Sequence, residues 1–71
     1  MDYGKAFDIV KQGEKGMRLP HWQPDVVVRA QLPDENSKMT HPYLYVSSRF
    51  GNVPWIETVV EKFSDKWEVV E

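Results

Sequence analysis

The sequence predicts an α+β domain: a small antiparallel sheet with an N-terminal helix on one face and a short C-terminal helix, all in a single domain spanning residues 1–71. Three observations carry this. Tyr3, Ala6, Phe7 and Val10 recur at the i, i+3, i+4, i+7 spacing of a helix that buries one side. The run Val26-Val27-Val28-Arg29-Ala30 and the alternation over Tyr43 to Ser47 have strand character, and Gly51-Asn52 signals a hairpin. Thr58 and Glu61 stand at capping-box spacing, so a helix of one or two turns begins there, held between Trp55 and Trp67.

Taken in order, Asp2 can cap a helix over about residues 3 to 12, with Lys5, Asp8, Lys11 and Gln12 on its outer side and Gly13 as its stop. Gly16 is expected to turn the chain into a short extended segment, Met17-Arg18-Leu19, which Pro20 ends. Pro20 and Pro24 bracket His21-Trp22-Gln23 and keep it out of a helix, so Trp22 is expected on a stiff loop. Strand 26–30 follows, then the longest loop, residues 32–42, from Leu32-Pro33 through Asp34-Glu35-Asn36-Ser37 to His41-Pro42. In the next strand Tyr43, Tyr45 and Ser47 share one face, and Leu44 and Val46 the other. The hairpin leads to a short strand ending at Pro54-Trp55. After the capped helix, Trp67 to Val70 can pair as a terminal strand.

Composition bounds what such a domain can be. A core of 71 residues is small, and domains below roughly 70–80 residues seldom gain more than about 3–5 kcal/mol from one core. The chain has no cysteine, which excludes disulfides and cysteine-bound zinc and leaves self-association as the remaining stabiliser. It also fits a reducing, cytoplasmic setting. The N-terminus lacks the basic and apolar regions of a signal peptide, and no apolar run is long enough to cross a bilayer. A formal charge of −2 argues against a nucleic-acid polymer as partner, yet permits a small anion held by one or two arginines.

Enzyme signatures are weak: there is no phosphate-cradling glycine pattern, no nucleophile elbow and no paired-histidine metal motif. No catalytic residue, metal ligand or cofactor is assigned. His21 and His41 lie far apart and default to loop histidines. The aromatic and arginine set is more informative. Trp22, Arg18 four residues before it, and the Tyr43 and Tyr45 face could form a shallow pocket in which a planar base stacks while a guanidinium grips phosphate. The competing reading makes these aromatics core, and Trp55 and Trp67 are better core candidates than Trp22. Arg29 either faces solvent or reaches an anion at a subunit interface. Arg49 reads as a solubilising turn residue, and Asp34 and Glu35 as solvated.

The whole pattern resembles a family. Its elements are the opening Asp2-Tyr3-Gly4-Lys5-Ala6-Phe7, then Met17-Arg18-Leu19-Pro20-His21-Trp22, Pro42-Tyr43-Leu44-Tyr45, Val53-Pro54-Trp55, and the closing Asp65-Lys66-Trp67-Glu68-Val69-Val70. Together they look like the phage Thoeris anti-defense protein of the second type, over nearly the entire chain. Gln23 stands where members commonly carry Asn. Thr58 and Glu61 keep the capping chemistry where Ser is usual.

The resemblance implies a cytoplasmic sponge that does not cleave its ligand: a homo-oligomer, typically a tetramer, that sequesters cyclic nucleotide immune signals. Those signals are glycocyclic ADP-ribose of Thoeris and, for some members, cyclic dinucleotides of CBASS. On this reading Trp22 stacks on a base, Arg18 meets phosphate or braces the loop, and Gln23 meets base or ribose edges. Tyr43, Asn52 and Thr58 form the far wall. The alternative is a small interaction module that blocks a host protein.

Overall fold

The computed structural model describes residues 1–36 and 38–71. In chain order the elements are α1 (Tyr3–Val10), β1 (Gly16–Arg18), β2 (Val27–Gln31), β3 (Tyr43–Ser48), β4 (Gly51–Pro54), α2 (Val59–Phe63) and β5 (Glu68–Val70). The strands form one antiparallel sheet in the order β4-β3-β2-β1-β5. The expected α+β architecture and order of elements are therefore present. The loop expected over 32–42 joins β2 to β3, and Ser37 within it lies outside the described residues.

α1 forms as its periodicity dictates. The Asp2 carboxylate accepts the Lys5 main-chain N–H at 2.8 Å, Ala6 and Val10 are buried, and Lys5, Asp8, Lys11 and Gln12 are exposed. The helix is shorter than the expected 3–12. Gln12 and Gly13 donate three residues back, to Ile9 and Val10, so the chain tightens into a turn, and Gly13 leaves it at φ +94°.

Two glycines behave differently from expectation. Gly16 is a buried member of β1 and has no positive φ; a Cβ there would collide with Val27 Cγ1 and lie 3.1 Å from the Val28 carbonyl oxygen. Its role is close approach of β1 to β2 and not the turning of the chain. The hairpin turn is made by Arg49 and Phe50, because Ser48 pairs with Gly51 and Asn52 already pairs with Ser47. Gly51 supplies the single positive φ, +111°, directly after the turn, which fits a type I turn closed by a glycine bulge.

Ala6, Val10, Met17, Leu19, Val28 and Trp67 make the core. Trp67 is its largest member, and Tyr3, Trp22 and Trp55 meet it edge-on with ring centroids 5.6, 5.4 and 6.1 Å away. Its indole N–H donates to the Glu61 carbonyl at 2.8 Å, tying α2 down. Its main chain exchanges two hydrogen bonds with Met1, at 2.8 and 3.0 Å. One residue thus fastens the N-terminus, α2 and the sheet.

Both surface arginines have definite partners. The Arg49 main-chain N–H donates to Asp25 at 2.9 Å and its guanidinium at 3.3 Å, joining the β1–β2 connection to the hairpin turn. These contacts, the main-chain one foremost, hold the Asp25 carboxyl below its ordinary range. Arg49 is more than the solubilising residue expected from sequence. Arg29 is half-buried and donates to the Glu71 main-chain oxygen at 2.6 Å, so it is not simply solvated.

Tyr3 carries a pH-sensitive contribution. Burial, then the nearby Glu57 carboxylate, whose oxygen lies 3.5 Å from the phenol, pushes the phenol up from 10.0 to about 12. The fold holds this proton more tightly than the unfolded chain does. The associated stability is fully present below pH 10 and is lost as pH rises toward 12. Urea unfolding at pH 9 to 11.5 should show that decline in the parent protein and a shallower one in Tyr3→Phe. Equal slopes would remove Tyr3 as the cause.

α2 is the anomaly of the fold. Its capping box is complete, with Thr58 N–H on Glu61 Oε1 at 2.9 Å and Glu61 N–H on Thr58 Oγ1 at 3.2 Å, yet none of its residues is buried. Val59, Val60 and Phe63 are 73%, 82% and 83% exposed, and Ile56 just before them 86%. The helix is firmly pinned, and its apolar side chains lie in solvent as an exposed patch.

Candidate functional site

The residues singled out from sequence fall into three places. Arg18, Trp22 and Gln23 come together. Arg18 leaves the end of β1 and its guanidinium donates to the carbonyl oxygens of Trp22 at 2.7 Å and Gln23 at 3.2 Å, and to Glu68 Oε1 at 3.3 Å. The prolines explain why the segment has this shape. Leu19 to Trp22 and Gln23 to Val26 are consecutive turns, each closed by a hydrogen bond from its fourth residue to its first, at 3.1 and 3.0 Å. Pro20 and Pro24 each occupy the second position, where a fixed φ near −65° is favoured.

Arg18 thus braces the loop, one of the two roles expected of it. Its Nε is buried and makes no hydrogen bond among the described residues. Leaving such a donor unmet costs about 1–3 kcal/mol. Trp22 is half-buried, edge-on to Trp55 at 6.4 Å and to Trp67 at 5.4 Å. It therefore serves the packing as well as offering part of an indole to solvent. Gln23 is exposed beside it.

Tyr43 and Asn52 share a different place, a shallow concavity of about 160 Å³ on the sheet with Gln31, Tyr45, Val53 and Pro54. The register accounts for most of it. Gln31 pairs with Tyr43, Tyr45 with Pro54, and Ser47 with Asn52, so alternation puts these side chains on one face. The shallow pocket combining Trp22 and Arg18 with Tyr43 and Tyr45 does not form within the chain. Thr58 stands apart from both groups, its hydroxyl occupied in capping α2.

Sequence reasoning missed Trp55 as the neighbour of Trp22, Glu68 as the partner of Arg18, and Gln31 and Pro54 beside Tyr43. The Arg18 and Glu68 pairing follows from β1 lying against β5, with Arg18 opposite Glu68. Nothing local in the sequence announces that. His21 and His41 are both exposed. Among the described residues no group of three or more His, Asp or Glu could hold a metal ion, and no helix is long and apolar enough to cross a membrane.

A family model described as Tad2-like, the Thoeris anti-defense 2-like domain, matches residues 1–70. No curated protein matches the chain.

Proposed function

Because the chain belongs to the Tad2-like family of Thoeris anti-defense domains, we propose that it serves that role in the host cytoplasm as a non-catalytic sponge, a homo-oligomer, tetrameric in the family's manner, that binds cyclic nucleotide signals and returns them unaltered. The observation that carries this reading is the braced segment at the end of β1. Arg18 fixes Trp22 and Gln23 through their carbonyl oxygens. The exposed part of the indole stacks on a base, and Gln23, exposed beside it, meets a polar edge. Rigidity of this kind lowers the ordering cost of binding.

A single protomer supplies only part of a wall here. Tyr43 and Asn52 lie in a separate concavity, and Thr58 in neither. A subunit junction that sets one protomer's Tyr43 face beside the next protomer's Trp22 segment would enclose a nucleotide that neither can enclose alone. The exposed apolar residues of α2 supply a surface for such assembly. The same ridge favours the second reading, a module that seats a host protein.

The test is a trapping experiment. Protein is mixed with glycocyclic ADP-ribose or, separately, a cyclic dinucleotide, freed of unbound ligand, and heated. Expected is depletion of the signal and its recovery intact, since ground-state binding stores a ligand without converting it. Gln23→Ala should weaken retention about fivefold without loss of stability. Trp22→Ala should weaken it further, by about 1–3 kcal/mol, with some loss of stability from the broken Trp22 packing. A hydrolysed product would mean an enzyme. No depletion of either signal would leave the host-protein reading as the better account.

A further inference from the structure

We infer that the cleft between α1 and the segment leading into α2 is a second binding site, suited to a small planar aromatic anion. The cleft encloses about 440 Å³, within the range of small-molecule sites, and its bounding residues exclude Trp22, Arg18 and Gln23. Of the residues assigned to the cyclic nucleotide, only Tyr43 borders it. The inference therefore does not rest on sequestration at the Trp22 segment.

Its shape follows from the sequence. Tyr3, Phe7 and Lys11 stand four residues apart, so they form one stripe along α1 that becomes a wall of the cleft. Ala30 and Leu44 contribute from the sheet, and they pair directly across β2 and β3, which makes this surface apolar. The Tyr3 and Phe7 rings are nearly parallel, 10° apart with centroids separated by 5.8 Å. A flat ring can lie along this stripe.

Charge selects what the ring carries. Lys11 and Lys62 border the cleft, against one carboxylate, Glu57, which already lies near the Tyr3 phenol. The cleft is thus net positive by one charge on a chain whose formal charge is −2. Lys62 forms no ion pair among the described residues. Lys11 pairs with Asp8 at 3.1 Å, with both side chains largely in solvent, and its ammonium lies 5.9 Å from the Phe7 ring centroid; both contacts are weak enough to yield to a better anion. Two ammonium groups beside an apolar, aromatic-walled cavity match a ring bearing a phosphate or similar anion.

The probe is 1-naphthyl phosphate, measured by equilibrium dialysis against the full chain. Expected is saturable binding of one molecule per chain that weakens with salt. Uncharged 1-naphthol should bind more weakly. The double variant Lys11→Gln/Lys62→Gln should bind on the order of tenfold more weakly, having lost two charge-assisted contacts. Both lysines are exposed, so this variant should fold normally, which circular dichroism confirms or denies. Phe63→Ser serves as the control for adhesion to the α2 ridge and should leave binding unchanged. The inference is overturned by absence of saturable binding, by full affinity in a folded double-lysine variant, or by loss of binding in Phe63→Ser. The outcome is separable from that of the trapping experiment, because Gln23→Ala should not affect naphthyl phosphate.

Discussion

Trp67→Ala should lose about 3–5 kcal/mol of stability, the usual cost of truncating a buried tryptophan. The residue is 1% exposed and fills the centre of a ring cluster with Tyr3, Trp22 and Trp55. The substitution leaves a cavity in contact with three aromatic rings and strips the Glu61 carbonyl of its indole donor. A domain of this length has a total stability of about 4–10 kcal/mol, so the loss consumes a large part of it. Urea denaturation followed by far-ultraviolet circular dichroism measures it. Trp67→Phe should cost less, since a ring remains and only part of the packing and the hydrogen bond at 2.8 Å are lost. If alanine costs under 1 kcal/mol, Trp67 does not hold this fold together.

Val60→Asp combined with Phe63→Asp should take the protein apart without unfolding it. Both side chains are more than four-fifths exposed in the protomer, so their replacement removes almost no internal packing. At an apolar subunit contact the same change buries two carboxylates without partners. A hot-spot residue at an interface contributes about 2 kcal/mol or more, so if even one of the two is such a residue the dissociation constant should rise more than about thirtyfold. Light scattering coupled to gel filtration should show the parent as an oligomer and the variant near the 8.3 kDa of one chain, with an unchanged circular dichroism spectrum. A monomeric parent protein would remove the junction model. An oligomer unaffected by both charges would move the contact away from α2.

These two variants separate roles that look alike in the sequence. Trp67 and Phe63 are both large apolar residues near the capped helix, yet one is at the centre of the core and the other 83% exposed. Helical spacing cannot distinguish them, because a helix of five residues is too short to show a periodic face. What decides is the path of the chain after Ser64, which brings Trp67 beneath Glu61 and leaves Phe63 outside.

The sequence by itself determined the order of elements, the Asp2 and Thr58 caps, the burial of Ala6 and Val10, the common face of Tyr43 and Tyr45, and the bracing option for Arg18. Each depends on neighbours within a few residues, where side-chain spacing, proline geometry and capping hydrogen bonds act directly. Only the tertiary structure decided that Gly16 is there for β1 to approach β2, that Arg49 clasps Asp25, and that Arg18 answers to Glu68 fifty residues away. It also decided that Trp22 leans on Trp55 and Trp67 while Tyr43 and Asn52 belong to another surface. These depend on strand order and register, set by how the whole chain buries its apolar surface, and no local pattern encodes which distant strand will lie alongside.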